Sequence, residues 1–131
     1  MSNADRLLEG AMDIHVHCAP DPRVERRGSA LEFAEHARDM GMLGMVFKSH
    51  EYPTHPVAYT AGQAVPGVTL LGGVSLDVEV GGLNPTAVES TAKMGGRVVW
   101  MPTFSARADR QLKGLDGGIY LLDDQGKLVP E

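Results

Sequence analysis

Four short β-like runs alternate with helical patterns at a spacing of roughly 30 residues, and this alternation restricts the fold more than any other feature of the chain. Strand-helix-strand repeats of that length are what right-handed crossover units produce, and they predict a parallel sheet. The first run is Ala11 to His17, in which Met12, Ile14 and Val16 alternate with Asp13, His15 and His17. Ser29-Ala30-Leu31-Glu32 follows as a capping box, with Ala30, Phe33, Ala34 and Ala37 at helical spacing and Gly41 as the stop. Leu43 to His50 reads as the second strand, and a helix is predicted from Pro56 to Val65 with Val57, Ala58, Ala61 and Ala64 on one side. Val68 to Asp77 reads as the third strand. Asn84-Pro85 opens a helix to Met94, Gly95-Gly96 closes it, and Arg97 to Met101 is the fourth strand. Ile119 to Leu122 and Lys127 to Val129, around Asp123-Asp124-Gln125-Gly126, read as a β-hairpin.

An eight-stranded parallel barrel uses about 250 residues, whereas this sequence has 131 with four units visible. The expectation is an α/β fold: one domain over residues 1–131, forming about half of a TIM-like (β/α) barrel or an open parallel sheet. Residues 115–131 form its hairpin extension, and Met1-Ser2-Asn3-Ala4 is read as an expression remnant. Unpaired strand edges in half a barrel predict self-association into a homo-oligomer. A hydrophobic content of 43% suits a packed core, and a net charge of −5 argues against nucleic acid as a partner. Apolar runs are too short to span a bilayer, and no secretory leader is evident. Cys18 is the sole cysteine, which suits a reducing compartment, so the expected location is the cytoplasm.

Side chains two apart on a strand project to the same face, so His15 and His17 point together at the C-terminal end of the first strand. Ile14 and Val16 face the other way, toward the expected helices. Paired imidazoles at the strand end where parallel folds place their chemistry suit a divalent metal. By the same parity Lys48 and His50 share a face of the second strand. His50 is a candidate third ligand, and Lys48 a candidate for holding a substrate carboxylate or for acid-base work. Asp77 ends the third strand and is a candidate ligand or base, and Asp13 could orient a ligand from behind. Arg23, Arg26 and Arg27 could meet an anion, and Thr103 and Ser105 a substrate. His36 and His55 read as ordinary helix residues, and Cys18 as a small buried side chain. Neither Gly72-Gly73 nor Gly81-Gly82 has the spacing of a dinucleotide or phosphate loop.

Asp13-Ile14-His15-Val16-His17 resembles the first-strand motif of the amidohydrolase superfamily. Phe47-Lys48-Ser49-His50 with Pro53-Thr54, Val80 to Pro85, Val98 to Thr103 and Leu122 to Pro130 are similar to an uncharacterised amidohydrolase-like family, over about Met12 to the chain end. The resemblance implies a (β/α) barrel with a divalent metal, often zinc, bound first by His15 and His17 and then by residues of later strands. Because the sequence ends at Glu131, where such a protein would enter its next helix, it is expected to cover about the amino-terminal half. Lys48 does not occupy the fourth strand, where many amidohydrolases carry a carboxylated lysine, so that role is not transferred. The expected activity is metal-dependent hydrolysis of a small molecule, through water whose pKa the metal lowers to about 7. The alternatives are an inactive fragment or assembly module of such a barrel, such as a dimer that rebuilds it from two halves, and phosphoester hydrolysis or decarboxylation on the same scaffold.

Overall fold

The structure, a computed structural model, describes residues 3–129. A short helix α1 (Asn3–Leu8) leads into β1 (Met12–Val16), α2 (Ala30–Asp39), β2 (Gly44–Phe47) and α3 (His55–Ala64). Then come β3 (Thr69–Leu71), β4 (Gly73–Ser75), a single 3-10 turn (Val78–Val80), α4 (Pro85–Lys93), β5 (Val98–Trp100) and α5 (Arg107–Leu112). All the strand pairs are parallel, in a three-stranded sheet of order β1-β2-β3 and a two-stranded sheet β4-β5. The chain is thus an α/β protein of parallel strands, and neither sheet closes on itself.

The helices begin where their caps place them. Ser29 Oγ accepts from Glu32 N while the Glu32 carboxylate accepts from Ser29 N, the reciprocal box that satisfies two free amides at the start of α2. Asn84 caps α4 through Ala87 N. The core lies between the helices and the outer face of the first sheet. Met45 and Phe47 of β2 pack there with Ala30, Ala37, Ala58 and Ala61, alanines that let α2 and α3 approach the strands closely. Cys18 is buried in the same cluster. Val16 packs against it, but Ile14, expected beneath a helix, is 68% exposed. The cause is position: β1 is an edge strand, and the helical layer reaches Val16 without covering Ile14.

Two strand assignments are corrected. Val68 to Asp77 is not one strand, because the loop before α3 drives Thr54 into it. Thr54 N donates to Gly73 O (2.8 Å), Gly73 N donates to Thr54 Oγ1 (2.9 Å), and that hydroxyl donates to Phe47 O (2.6 Å). The backbone groups with which Gly73 would join β2 are therefore occupied, and β4 pairs with β5 instead. A Cβ on Gly72 would stand 2.4 Å from the His55 backbone, so only glycine admits this wedge. The expected hairpin is reduced to one antiparallel bridge, Leu122 with Leu128, around a turn in which Asp123 Oδ1 accepts from Gln125 N and Lys127 N. Ile119 instead bridges in parallel to Ala106. The helices α1 and α5 lie outside the strand-helix alternation read from the sequence. Met1, Ser2, Pro130 and Glu131, part of the expected remnant and hairpin extension, lie outside the described residues.

Replacing Thr54 with Val keeps the shape and removes the hydroxyl, leaving Gly73 N–H buried without a partner, at a cost of about 1–3 kcal/mol. Urea unfolding should show a lower midpoint with an unchanged slope for Thr54→Val, and a larger drop for Gly72→Ala.

Candidate functional site

The face of the strands opposite the helices carries the polar side chains. On β1 this face presents Asp13 and His15, with His17 just beyond. The Nε2 atoms of His15 and His17 lie 3.1 Å apart. Two nitrogens bound tetrahedrally to one zinc at about 2.0–2.1 Å sit about 3.3 Å apart, so this pair fits a shared metal ion. Burial, followed by Arg26, His50, His15 and Lys48, lowers the His17 pKa to about 4. His15 is lowered by burial and Lys48 against the opposing pull of Asp13. Neutral imidazoles are the form that a metal requires.

Next to this pair is a buried knot formed by the ends of three strands. The His50 ring lies between His17 (5.0 Å between centroids, stacked) and Phe104 (4.2 Å, stacked). His50 Nδ1 is 2.9 Å from Asp77 Oδ2 and 2.8 Å from Thr103 Oγ1. Because the Thr103 hydroxyl donates to the same carboxylate oxygen (2.8 Å), the arrangement places a His50 proton on Nδ1. Asp77 Oδ1 accepts from Thr103 N and Ser105 N, each at 2.9 Å. Asp77 is 0% exposed. Burial opposes its charge, yet the bonds from His50, Ser105 and Thr103 win and hold its pKa down at about 2.

Lys48 continues the β2 ladder, its N–H donating to Val16 O (2.8 Å), and its side chain crosses the inner face. It is 4% exposed, with Nζ 5.6 Å from the centre of the Trp100 ring. Burial lowers its pKa, partly offset by Asp77.

The strand ends thus bring His15, His17, His50, Asp77 and Lys48 to one region. Among the described residues, no three His, Cys, Asp or Glu side chains form a ready metal-holding group, and His50 stacks on His17. Asp77 spends both oxygens on hydrogen bonds. Thr103 and Ser105, expected to meet substrate, hold that carboxylate. Two of the three arginines are already paired. Arg23 bonds Glu51 (2.8 Å) and Glu79 and covers Phe104, while Arg26 grips Asp21 (2.5 Å). Arg27 is exposed. His36 is exposed on α2, and His55 opens α3 with a buried Nδ1. Ser75, Trp100 and Phe104 were not singled out from sequence as site residues. Parity with Asp77 would have found Ser75, but nothing local marks the other two.

Fold and face together define an α/β protein whose parallel strands gather histidines and a buried carboxylate at their C-terminal ends. The chain belongs to DUF6282, a family of unknown function whose profile matches residues 10–131. No curated protein and no solved structure matches it. Among the described residues no helix is long and apolar enough to cross a membrane.

Because the folded Asp77 pKa is depressed from 3.8 to about 2, its contribution is complete above the unfolded value and is lost as pH falls from about 4 to about 2. The loss amounts to about 2 kcal/mol. Urea midpoints measured across that window should fall for the wild type and change less for Asp77→Asn.

Proposed function

We propose that the chain is part of a metal-dependent hydrolase of the (β/α)-barrel kind, and the observation that carries this reading is the 3.1 Å approach of His15 Nε2 to His17 Nε2. These two histidines would hold the ion, and His50 would turn its free Nε2 toward it as the third ligand. A catalytic zinc takes about three protein ligands and keeps one position open. Bound zinc would supply a water acidic enough to attack at neutral pH. Asp77 acts through His50: by accepting the Nδ1 proton it sets the tautomer and ring orientation, a carboxylate-histidine pairing typical of metal sites. Thr103 and Ser105 keep Asp77 charged and in place.

Small-molecule substrates suit a chain of net charge −5 better than nucleic acid does. Phosphoester hydrolysis and decarboxylation use similar sites, so a panel of esters, amides, phosphomonoesters and small carboxylic acids would select the reaction. A second reading, that the chain serves as an assembly module, draws on its open edges. β1 is an edge of one sheet and β5 of the other, with Ile14 at 68%, Val99 at 46% and Met101 at 46% exposure. In a TIM-like barrel these edges would be covered, and a second copy could cover them here. Sedimentation at graded concentrations tests this: a tight dimer supports pairing of two halves, and a monomer at all concentrations removes it.

Zinc titration followed by elemental analysis is expected to give one ion per chain in the wild type and none in the His15→Ala/His17→Ala variant. Asp77→Asn should bind zinc about 10–100-fold more weakly, as loss of an orienting partner does. Wild-type protein that takes up no zinc, cobalt or manganese would defeat the metal reading, and full affinity in His50→Ala would remove His50 from the ligand set.

A further inference from the structure

Lys48 is a cation almost wholly withdrawn from water, and the described residues give it no carboxylate within ion-pair distance. Asp77, the acid whose charge acts on it, is engaged with His50, Thr103 and Ser105. Its only described partner is the Trp100 ring. A buried ammonium without a counter-ion is costly, and the cost is relieved when an anion enters beside it.

A second group on the same face is also unsatisfied. Ser75 is 0% exposed, and its Oγ has no hydrogen-bond partner. In the parallel pairing of β4 with β5, Ser75 stands opposite Trp100, so the two side chains share a face. Trp100 has Lys48 on its ring and lies near His15, at 6.4 Å between ring centroids, which places that face on the histidine side of the sheet. Trp100 lies over Gly73, two residues before Ser75, where a Cβ would meet Val98 O at 2.0 Å and the Trp100 ring at 2.9 Å.

We propose that Lys48, Ser75 and Trp100 form an anion-binding subsite beside the histidines, and that it takes the carboxylate of a small organic acid. One ammonium and one hydroxyl match the two oxygens of a monoanion, whereas a phosphate dianion presents three oxygens and is met by arginine forks. Arg23 and Arg26 are already paired with acids. The subsite thus selects an acid-bearing substrate and holds it by its charged end, next to the point where His15 and His17 converge. That the bound acid is the substrate rests on the hydrolase reading above; that the anion binds does not.

Trp100 is the only tryptophan, so its emission reports the subsite directly. Full-length protein would be titrated with sodium benzoate and sodium acetate at constant ionic strength, with sodium phosphate and sodium chloride as comparisons, first with EDTA and then with one equivalent of zinc. A saturable change with the carboxylates is expected in both conditions. Lys48→Met, which keeps the apolar stem, should weaken it about 10–100-fold, the range for a charge-assisted bond. Ser75→Ala should weaken it a few-fold. No saturable change in the wild type, or unaltered affinity in Lys48→Met that retains the wild-type circular dichroism and urea midpoint, overturns the subsite. Phosphate or chloride binding as tightly as benzoate overturns its carboxylate class. In His15→Ala/His17→Ala, benzoate binding should persist without zinc uptake. Failure of the anion site alone would leave zinc binding intact, so the two readings fail separately.

Discussion

The Asp77 carboxylate is the point on which the strand ends depend. It sits with no exposure to water just beyond β4, and it accepts from His50 beyond β2 and from Thr103 and Ser105 beyond β5. An ionised carboxylate in that position is stable only when hydrogen bonds replace its lost hydration. Here both oxygens are used, by two backbone amides, a hydroxyl and an imidazole. One buried charge thereby joins elements from the two separate sheets and determines which His50 nitrogen carries the proton. The loops above it are tied in the same manner, since Arg23 links the segment after β1 to Glu51 and Glu79 while covering Phe104.

The two faces of the strands divide the work. On the helix side, small and apolar side chains such as Ala30, Ala37, Ala58, Met45 and Phe47 form the core. On the other side stand His15, Lys48, Ser75 and Trp100, some of them buried yet unsatisfied. A protein tolerates unpaired buried polar groups mainly where they meet something outside the chain. The Lys48 ammonium and the Ser75 hydroxyl therefore carry more functional weight than their more exposed neighbours. The inner face thus combines a close histidine pair with a buried cationic side chain.

Much of this was legible in the sequence because strand parity is a local property. Successive residues alternate faces whatever the strand pairs with, so His15 with His17, and Lys48 with His50, could be assigned to common faces before any topology was known. Helix starts were legible for the same reason, since Ser29 with Glu32, and Asn84 with Pro85, satisfy amides within their own turn. Less legible were features that depend on contacts distant in sequence. The break at Gly72 follows from Thr54 arriving from another loop. Pairing of Arg23 with Glu79 spans 56 positions, and it removes an arginine that loop position alone marked for an anion.

The sequence by itself determined an α/β chain of parallel strands, the facing of its histidines and the capping of its main helices, because each of these depends on spacings of two to four residues. Only the tertiary structure decided that Asp77 orients His50, that Ile14 lies open on an edge strand, and that Lys48 shares its ring partner Trp100 with Ser75. Those outcomes depend on which distant groups compete for the same hydrogen bonds and the same burial. That competition is resolved only when the strands have been brought side by side.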